Sequence, residues 1–132
     1  PAAVRAKFRN NGQVCIAPQR YLVQQKVYDE FVERVVPEVQ GLRLGDGLDP
    51  RTEVGPLIHA RQRAWIEKLV EGARREGVEI ATGGRRPERL PKGYFYEPTV
   101  MAGVRREASV FRDRDFISSH ASRRSPWVGP AV

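Results

Sequence analysis

The sequence predicts an α/β fold, and three features of the chain indicate it. The 132 residues are 40% apolar and 30% charged, which is the balance of one globular domain with a hydrophobic core. Two long segments place apolar residues at helical spacing. The second of them is followed by a glycine and then a short apolar run, and this order of helix, glycine cap and strand is typical of an α/β unit.

The first half of the chain predicts two helices and one strand. Residues 1–10 are rich in good helix formers, and Asn10-Asn11-Gly12 is a helix stop signal. Residues 21–24 predict a short strand. Apolar side chains in residues 27–36 recur at i, i+1, i+4, i+5, i+8 and i+9, which is one face of a helix. Pro37 is expected to end or kink this helix because proline has no N–H.

The second half predicts one helix followed by two strands. Residues 60–76 carry an apolar face, and Gly77 is placed to cap the helix at its C-terminus. Residues 78–82 predict a strand. Residues 94–101 predict another, in which Pro98 belongs at an edge or a bulge because it cannot donate to a central ladder.

The composition weighs against several classes of protein. A net charge of +7 keeps a basic nucleic-acid binder open as an alternative, but aromatic residues are not interleaved with the arginines, so a solvated surface is favoured. No apolar run approaches the roughly 20 residues that cross a bilayer, and no leader is visible, so no membrane partner is expected. A second alternative is a non-catalytic remnant whose exposed half-core drives association.

Cys15 is the only cysteine in the chain. It cannot form an internal disulfide and one thiol cannot hold a metal by itself, so no metal site is expected. It is either an inert apolar residue or a nucleophile, and its place after a flexible Asn-Asn-Gly turn favours the nucleophile. A single cysteine also fits a reducing compartment, and we expect the cytoplasm.

Five segments of the chain form an ordered set of motifs. The first is residues 8–20, Phe-Arg-Asn-Asn-Gly-Gln-Val-Cys-Ile-Ala-Pro-Gln-Arg, and the others are residues 27–32, 44–50, 53–58 and 93–100. In this order they resemble segments of the NAD(P)-dependent aldehyde dehydrogenases: the active-site cysteine segment, the next helix, a loop, the Gly-Pro turn before a later helix and a late strand. The resemblance covers residues 8 to about 113.

The resemblance implies a fragment of the catalytic domain, with helices packed on a mostly parallel sheet. It also implies a parent enzyme, expected to be a homo-oligomer, that oxidises a small-molecule aldehyde with NAD or NADP. Cys15 would attack the aldehyde, transfer of hydride would leave a thioester, and water would hydrolyse it. The family's general-base glutamate and oxyanion-hole asparagine lie upstream of the cysteine and are not among these residues. We therefore expect the isolated chain to be inactive as a dehydrogenase. The resemblance to an enzyme family also leads us to expect no nucleic-acid partner.

Two further residues take a meaning from the resemblance. Gln62 matches a position near the cofactor ribose, although a plain polar helix residue is equally compatible with the sequence. His59 matches no catalytic histidine of the family, which favours a polar surface residue.

The resemblance ends near Asp113. An ungapped count from the late strand places Arg114 where the family has the glutamate that binds the nicotinamide ribose, so the charge there is reversed. We expect residues 1–113 to be the catalytic-domain fragment and residues 114–132 to be an aberrant, disordered tail produced by a slip of the reading frame. Sequencing the parent DNA tests this, because a slip predicts Glu-Ile-Phe-Gly-Pro in another frame.

Overall fold

The computed structural model describes residues 2–112 and the backbone of residues 119–125. These residues form helices and strands in mixed order, so the α/β class is confirmed as a mixed α/β fold. The helices are α1 (Ala2–Phe8), α2 (Tyr28–Gln40), α3 (Ala60–Arg75) and α4 (Ser109–Arg112), the 3-10 turns are Arg9–Gly12 and Gln25–Val27, and the strands are β1 (Arg20–Gln24), β2 (Glu79–Thr82), β3 (Thr99–Ala102) and β4 (Ser119–Ser125).

The four strands form one sheet in the order β1-β4-β3-β2. β2 pairs with β3 antiparallel, and the register of that pair shifts between Ile80 and Thr82. β4 pairs in parallel with β1 on one side and with β3 on the other. The sheet of the described residues therefore mixes both directions of pairing.

Two hydrophobic clusters cover the two faces of this sheet. Adjacent residues of β3 contribute to different clusters, Val100 to one and Met101 to the other, as expected from the alternation of side chains along a strand. The cluster with Met101 packs under α3, and the cluster with Val100 packs under α1 and α2. The α3 cluster contains Leu57, Ile66, Leu69, Val70, Ala73, Val78, Tyr96, Met101, Val104, Ala108 and Val110, and the other contains Val4, Phe8, Val35, Val39, Leu44, Val54 and Val100.

Helix α3 and its C-terminus confirm the sequence prediction closely. The helix spans Ala60–Arg75, and Gly77 follows it with φ of 77°. The Gly77 N–H donates to the Arg74 carbonyl at 3.0 Å, and the Val78 N–H donates to the Ala73 carbonyl at 2.9 Å. This pair of bonds is a Schellman motif, which needs a left-handed residue at the position that Gly77 fills.

Helix α2 does not end at Pro37 but continues to Gln40. Pro37 lies in the last turn, where its missing N–H removes only one helical hydrogen bond. Its carbonyl still accepts from the Gly41 N–H at 2.9 Å, and Val39 beyond it is buried in the core. The burial of Val39 offsets the lost bond, so the helix extends past the proline.

The strand predicted over residues 94–101 is shorter and lies inside the sheet. β3 begins at Thr99, directly after Pro98, and has neighbours on both sides. Phe95 and Tyr96 are buried without being part of a strand, and the Tyr94 carbonyl before them accepts from the Leu57 N–H of a distant loop. The prediction of a strand over residues 94–101, with Pro98 inside it at a sheet edge or a bulge, was therefore wrong, because β3 spans only Thr99–Ala102 and Pro98 precedes it.

Residues 119–125 form β4, whereas the sequence predicts no regular element there. A strand between two neighbours obtains backbone hydrogen bonds on both sides, and these bonds require no apolar period in its own sequence. The remaining residues of the predicted tail, 114–118 and 126–132, lie outside the described part of the chain, as does Asp113 before them. The boundary between residues 113 and 114 stays a prediction.

None of the helices in the described residues combines the length and the apolar character that a membrane span requires.

Candidate functional site

Cys15 lies in an exposed turn between α1 and β1, and its thiol is free. The turn is closed by the Ala17 N–H, which donates to the Val14 carbonyl at 2.9 Å. Ala17 is buried, whereas Ile16 is 79% exposed. The turn thus rests on the core through one residue and presents Cys15 and Ile16 to the surface.

Three consecutive left-handed residues bring the chain into this turn. Asn10 has φ of 49°, Asn11 of 58° and Gly12 of 73°. Few residues other than glycine adopt this region, and asparagine tolerates it better than most. The Gln13 N–H donates to the Asn10 carbonyl at 3.0 Å. The predicted helix stop is confirmed, and its left-handed backbone turns the chain sharply away from α1.

The side chain of Asn11 joins the cysteine turn to a distant loop. Its Oδ1 accepts from the Gly55 N–H at 2.8 Å, and its Nδ2 donates to the Pro56 carbonyl at 3.0 Å. Gly55 and Pro56 precede α3 by a few residues. The structure therefore brings together two motifs that the sequence analysis singled out separately, the cysteine segment and the Gly-Pro turn.

Lys7 lies under the other end of the same segment and is fully buried. Its Nζ donates to Gln19 Oε1 at 2.9 Å, and Gln19 Nε2 reaches the Ala17 carbonyl at 3.4 Å. Burial lowers the pKa of Lys7 to about 8. The sequence analysis did not single out Lys7, and only its place between apolar neighbours on α1 could have indicated its burial.

Gln62 and His59 lie at the start of α3. Gln62 is half-buried in the first turn, and its backbone N–H donates to His59 Nδ1 at 3.0 Å. His59 is thus the N-cap residue of α3, with an extended backbone. His59 is exposed, as the interpretation of a polar surface residue predicts, but its role as the cap was not predicted because histidine is not among the residues preferred at this position.

The structure of this region is matched by proteins of one family. The model of the aldehyde dehydrogenase family matches residues 1–116, which is most of the chain. The chain belongs to the aldehyde dehydrogenase family. The family match includes the cysteine turn, the Gly-Pro turn and α3, so the resemblance inferred from the motifs is confirmed.

Curated relatives of the family align with the chain over most of its length. Succinate-semialdehyde dehydrogenase [NADP(+)] of Mycobacterium leprae is 42% identical over 114 residues, which are 86% of this chain and 24% of that protein. Betaine aldehyde dehydrogenase of Bacillus subtilis is 40% identical over 116 residues, again 86% of this chain and 24% of the relative. The chain thus spans about a quarter of the length of these aldehyde dehydrogenases.

Solved structures of aldehyde dehydrogenases share the fold. An aldehyde dehydrogenase of Mycobacterium tuberculosis complexed with NAD+ superposes with a TM-score of 0.90 at 34% identity, over 95% of this chain and 26% of that one. Betaine aldehyde dehydrogenase of Staphylococcus aureus in complex with NAD+ has a TM-score of 0.89 at 34% identity, over 93% of this chain and 25% of that one. These structural relatives bind NAD+.

The described residues do not provide a cradle for a dinucleotide. The N-terminus of α3, where a helix could bind a phosphate, is already capped by His59. No glycine-rich phosphate loop precedes this helix in the sequence. Gln62, the predicted cofactor residue, lies within the described part of the chain. Arg114, which stands at the position of the family's ribose-binding glutamate, lies outside it. Among residues 2–112, no group of three or more His, Cys, Asp or Glu side chains is arranged to hold a metal ion.

The buried Lys7 makes the stability of the chain depend on pH. Its pKa is about 8 in the folded chain and 10.5 in the unfolded one, so between these values the unfolded state binds more protons. The free energy of unfolding should therefore rise from pH 8 toward 9, by at most about 1.4 kcal/mol per pH unit. Urea unfolding of the wild type and of Lys7→Met should show this rise in the wild type alone.

Lys26→Met is the matched control for this experiment, because Lys26 is exposed. It should keep the wild-type pH dependence. The measurements stop at pH 9, because burial raises the pKa of Tyr21 and Tyr96 from 10.0 to about 12, and the ionisation of these tyrosines in the unfolded chain opposes the effect of Lys7 as the pH approaches 10. Parallel pH profiles of the wild type and Lys7→Met would show that Lys7 is not desolvated in solution.

Proposed function

We propose that this chain is the nucleophile-bearing segment of an enzyme that oxidises an aldehyde to a carboxylic acid with NAD(P)+. The observation that carries the proposal is the exposed thiol of Cys15 in a turn built by three left-handed residues, within a segment that matches the family from residue 1 to 116. A thiol must be accessible to attack a substrate, and the structure presents this one at the surface.

The chemistry proposed for Cys15 is attack on the aldehyde carbon. The thiolate forms the C–S bond, and the carbonyl electron pair moves to oxygen. The backbone N–H of Cys15 has no hydrogen-bond partner among the described residues, so it is available to donate to that oxyanion. NAD(P)+ held by other parts of the enzyme would supply the hydride acceptor for this oxidation, and hydrolysis of the thioester on Cys15 would release the carboxylic acid and return the thiol.

Parts of the protein beyond this chain supply the remaining requirements in this proposal. They hold the dinucleotide, because the described residues lack a phosphate cradle, and Gln62 is the residue of this chain that would contact the cofactor ribose. They also complete a mostly parallel sheet in the whole catalytic domain and assemble it into a homo-oligomer. The choice between NAD and NADP belongs to those parts, as does most of the aldehyde pocket.

A segment replacement tests this function. In the hybrid, residues 1–112 of this chain replace the aligned segment of the Mycobacterium leprae succinate-semialdehyde dehydrogenase, which is 42% identical over the aligned residues. The hybrid should produce NADPH from succinate semialdehyde, because this chain supplies the nucleophile and the host supplies the other groups. The isolated 132-residue chain is the matched comparison and should produce none.

Two measurements make the outcome decisive. Size-exclusion chromatography and NADP+ binding show whether the hybrid is folded. A folded hybrid that binds NADP+ but produces no NADPH would contradict the proposed function. NADPH production by the isolated chain would contradict the assignment of the remaining groups to other parts of the protein.

A further inference from the structure

We propose that Asn11 is a positioning residue for Cys15. This inference rests on the proposed function only in taking Cys15 as the reacting group. One carboxamide makes two hydrogen bonds of opposite polarity to consecutive residues, accepting from the Gly55 N–H at 2.8 Å and donating to the Pro56 carbonyl at 3.0 Å. The side chain thus uses both its acceptor and its donor on the backbone of two consecutive loop residues. Two such bonds define the orientation of the Asn11 carboxamide as well as its distance from the loop backbone.

The loop that Asn11 contacts is itself held on both sides. Val54 is buried and accepts from the Gly45 N–H at 3.1 Å, in a segment where Leu44 and Val54 form a parallel bridge. On the other side, Leu57 is buried and its N–H donates to the Tyr94 carbonyl at 3.0 Å. Because these neighbours are fixed to the core, Gly55 and Pro56 offer Asn11 a rigid partner.

Because Asn11 is close to Cys15 in the sequence, its contact with the rigid loop also restrains the cysteine turn. Asn11 stands four residues before Cys15, and Gln19, which contacts the buried Lys7, stands four residues after it. The exposed part of the turn therefore lies between two side-chain contacts with the body of the fold. Of these two, the Asn11 contact is the one that leads to the loop before α3.

The residue type at this position follows from two requirements. Asn11 has φ of 58°, which asparagine tolerates better than most residues. Its side chain must also both accept and donate a hydrogen bond. Glycine meets only the first requirement, and aspartate keeps the acceptor for the Gly55 N–H but loses the donor to Pro56. Asn11→Gly and Asn11→Asp therefore separate the backbone from the carboxamide.

Amide hydrogen exchange in the 132-residue chain is the first test. Asn11→Gly should raise the exchange rates of the Gly55 N–H and of the Ala17 N–H, which closes the cysteine turn, by about tenfold or more. The amide of Val70, in the core of α3, should keep its wild-type rate. Asn11→Asp should raise the same two rates less. The matched control is Asn10→Gly, which also replaces a left-handed asparagine and should leave the Gly55 rate unchanged.

Three outcomes would overturn the proposal. If the Gly55 rate rises but the Ala17 rate does not, Asn11 holds only the distant loop. If neither rises, the two hydrogen bonds do not persist in solution. If the Val70 amide also exchanges faster in Asn11→Gly, that variant has opened as a whole. The Asn11→Asp variant then decides the question, and an unchanged Ala17 exchange rate in it contradicts the positioning role.

The second test separates positioning from a purely structural role. In the hybrid enzyme, Asn11→Gly should lower kcat about tenfold and change KM for the aldehyde by less than about threefold, because a displaced nucleophile loses transition-state rather than substrate binding. An unchanged kcat beside faster Ala17 exchange would overturn the proposal. If the hybrid with Asn11 intact is itself inactive, the proposed function fails while the exchange results still judge the Asn11 contact.

Discussion

Cys15→Ser in the hybrid enzyme is expected to lower NADPH production from succinate semialdehyde by at least about 10³-fold. The replacement removes one sulfur atom from an exposed turn, so the fold should persist. A serine hydroxyl in the same place is far less acidic than a thiol and supplies almost no anionic nucleophile near neutral pH. Initial rates at saturating aldehyde and NADP+ measure the effect.

The control for this prediction is Gln25→Ser, which removes an exposed side chain from the 3-10 turn after β1. It should retain the activity of the unmodified hybrid. Thermal unfolding and NADP+ binding of Cys15→Ser should also match the unmodified hybrid. If Cys15→Ser produces NADPH at a rate within tenfold of the unmodified hybrid, Cys15 is not the nucleophile.

Ile66→Ala is expected to destabilise the 132-residue chain by about 2–5 kcal/mol. Ile66 is 1% exposed in the cluster under α3, so its truncation leaves a cavity as well as losing apolar burial. Because domains of this size are stable by about 5–15 kcal/mol, the loss is a large share of the total. Urea unfolding followed by far-UV circular dichroism measures the change.

Ile58→Ala is the matched control, since Ile58 is the same residue type and is 73% exposed. Its truncation should change the free energy of unfolding by less than about 0.5 kcal/mol. Equal effects of the two substitutions would mean that α3 does not pack on the sheet as the structure shows.

Local patterns were sufficient to predict most helices and strands. The apolar faces of α2 and α3 are visible in the sequence because helical spacing repeats within a few residues, and Gly77 marks the end of α3. The errors arose where distant contacts outweigh local preference. Pro37 stays inside α2 because Val39 is buried beyond it, and β3 begins only after Pro98. Helix α4 is a single turn with no periodic signal and was not predicted.

The sequence predicts the candidate nucleophile of the site but not the residues that anchor the segment around it. The motif around Cys15 carries a family resemblance that needs no coordinates. Gln62 remains a proposed cofactor residue, supported by its place in the first turn of α3. The contacts of Asn11 with Gly55 and Pro56 span 44 and 45 residues, so no local pattern could reveal them.

The sequence alone therefore determined the family, the two main amphipathic helices and the candidate nucleophile, because these depend on residue types at short, regular spacing. Only the tertiary structure decided how the segment on either side of Cys15 is anchored, through the bonds of Asn11 to the loop before α3 and the bond of the buried Lys7 to Gln19. Hydrogen bonds and burial between distant segments depend on how the layers pack, and a one-dimensional pattern does not record that packing.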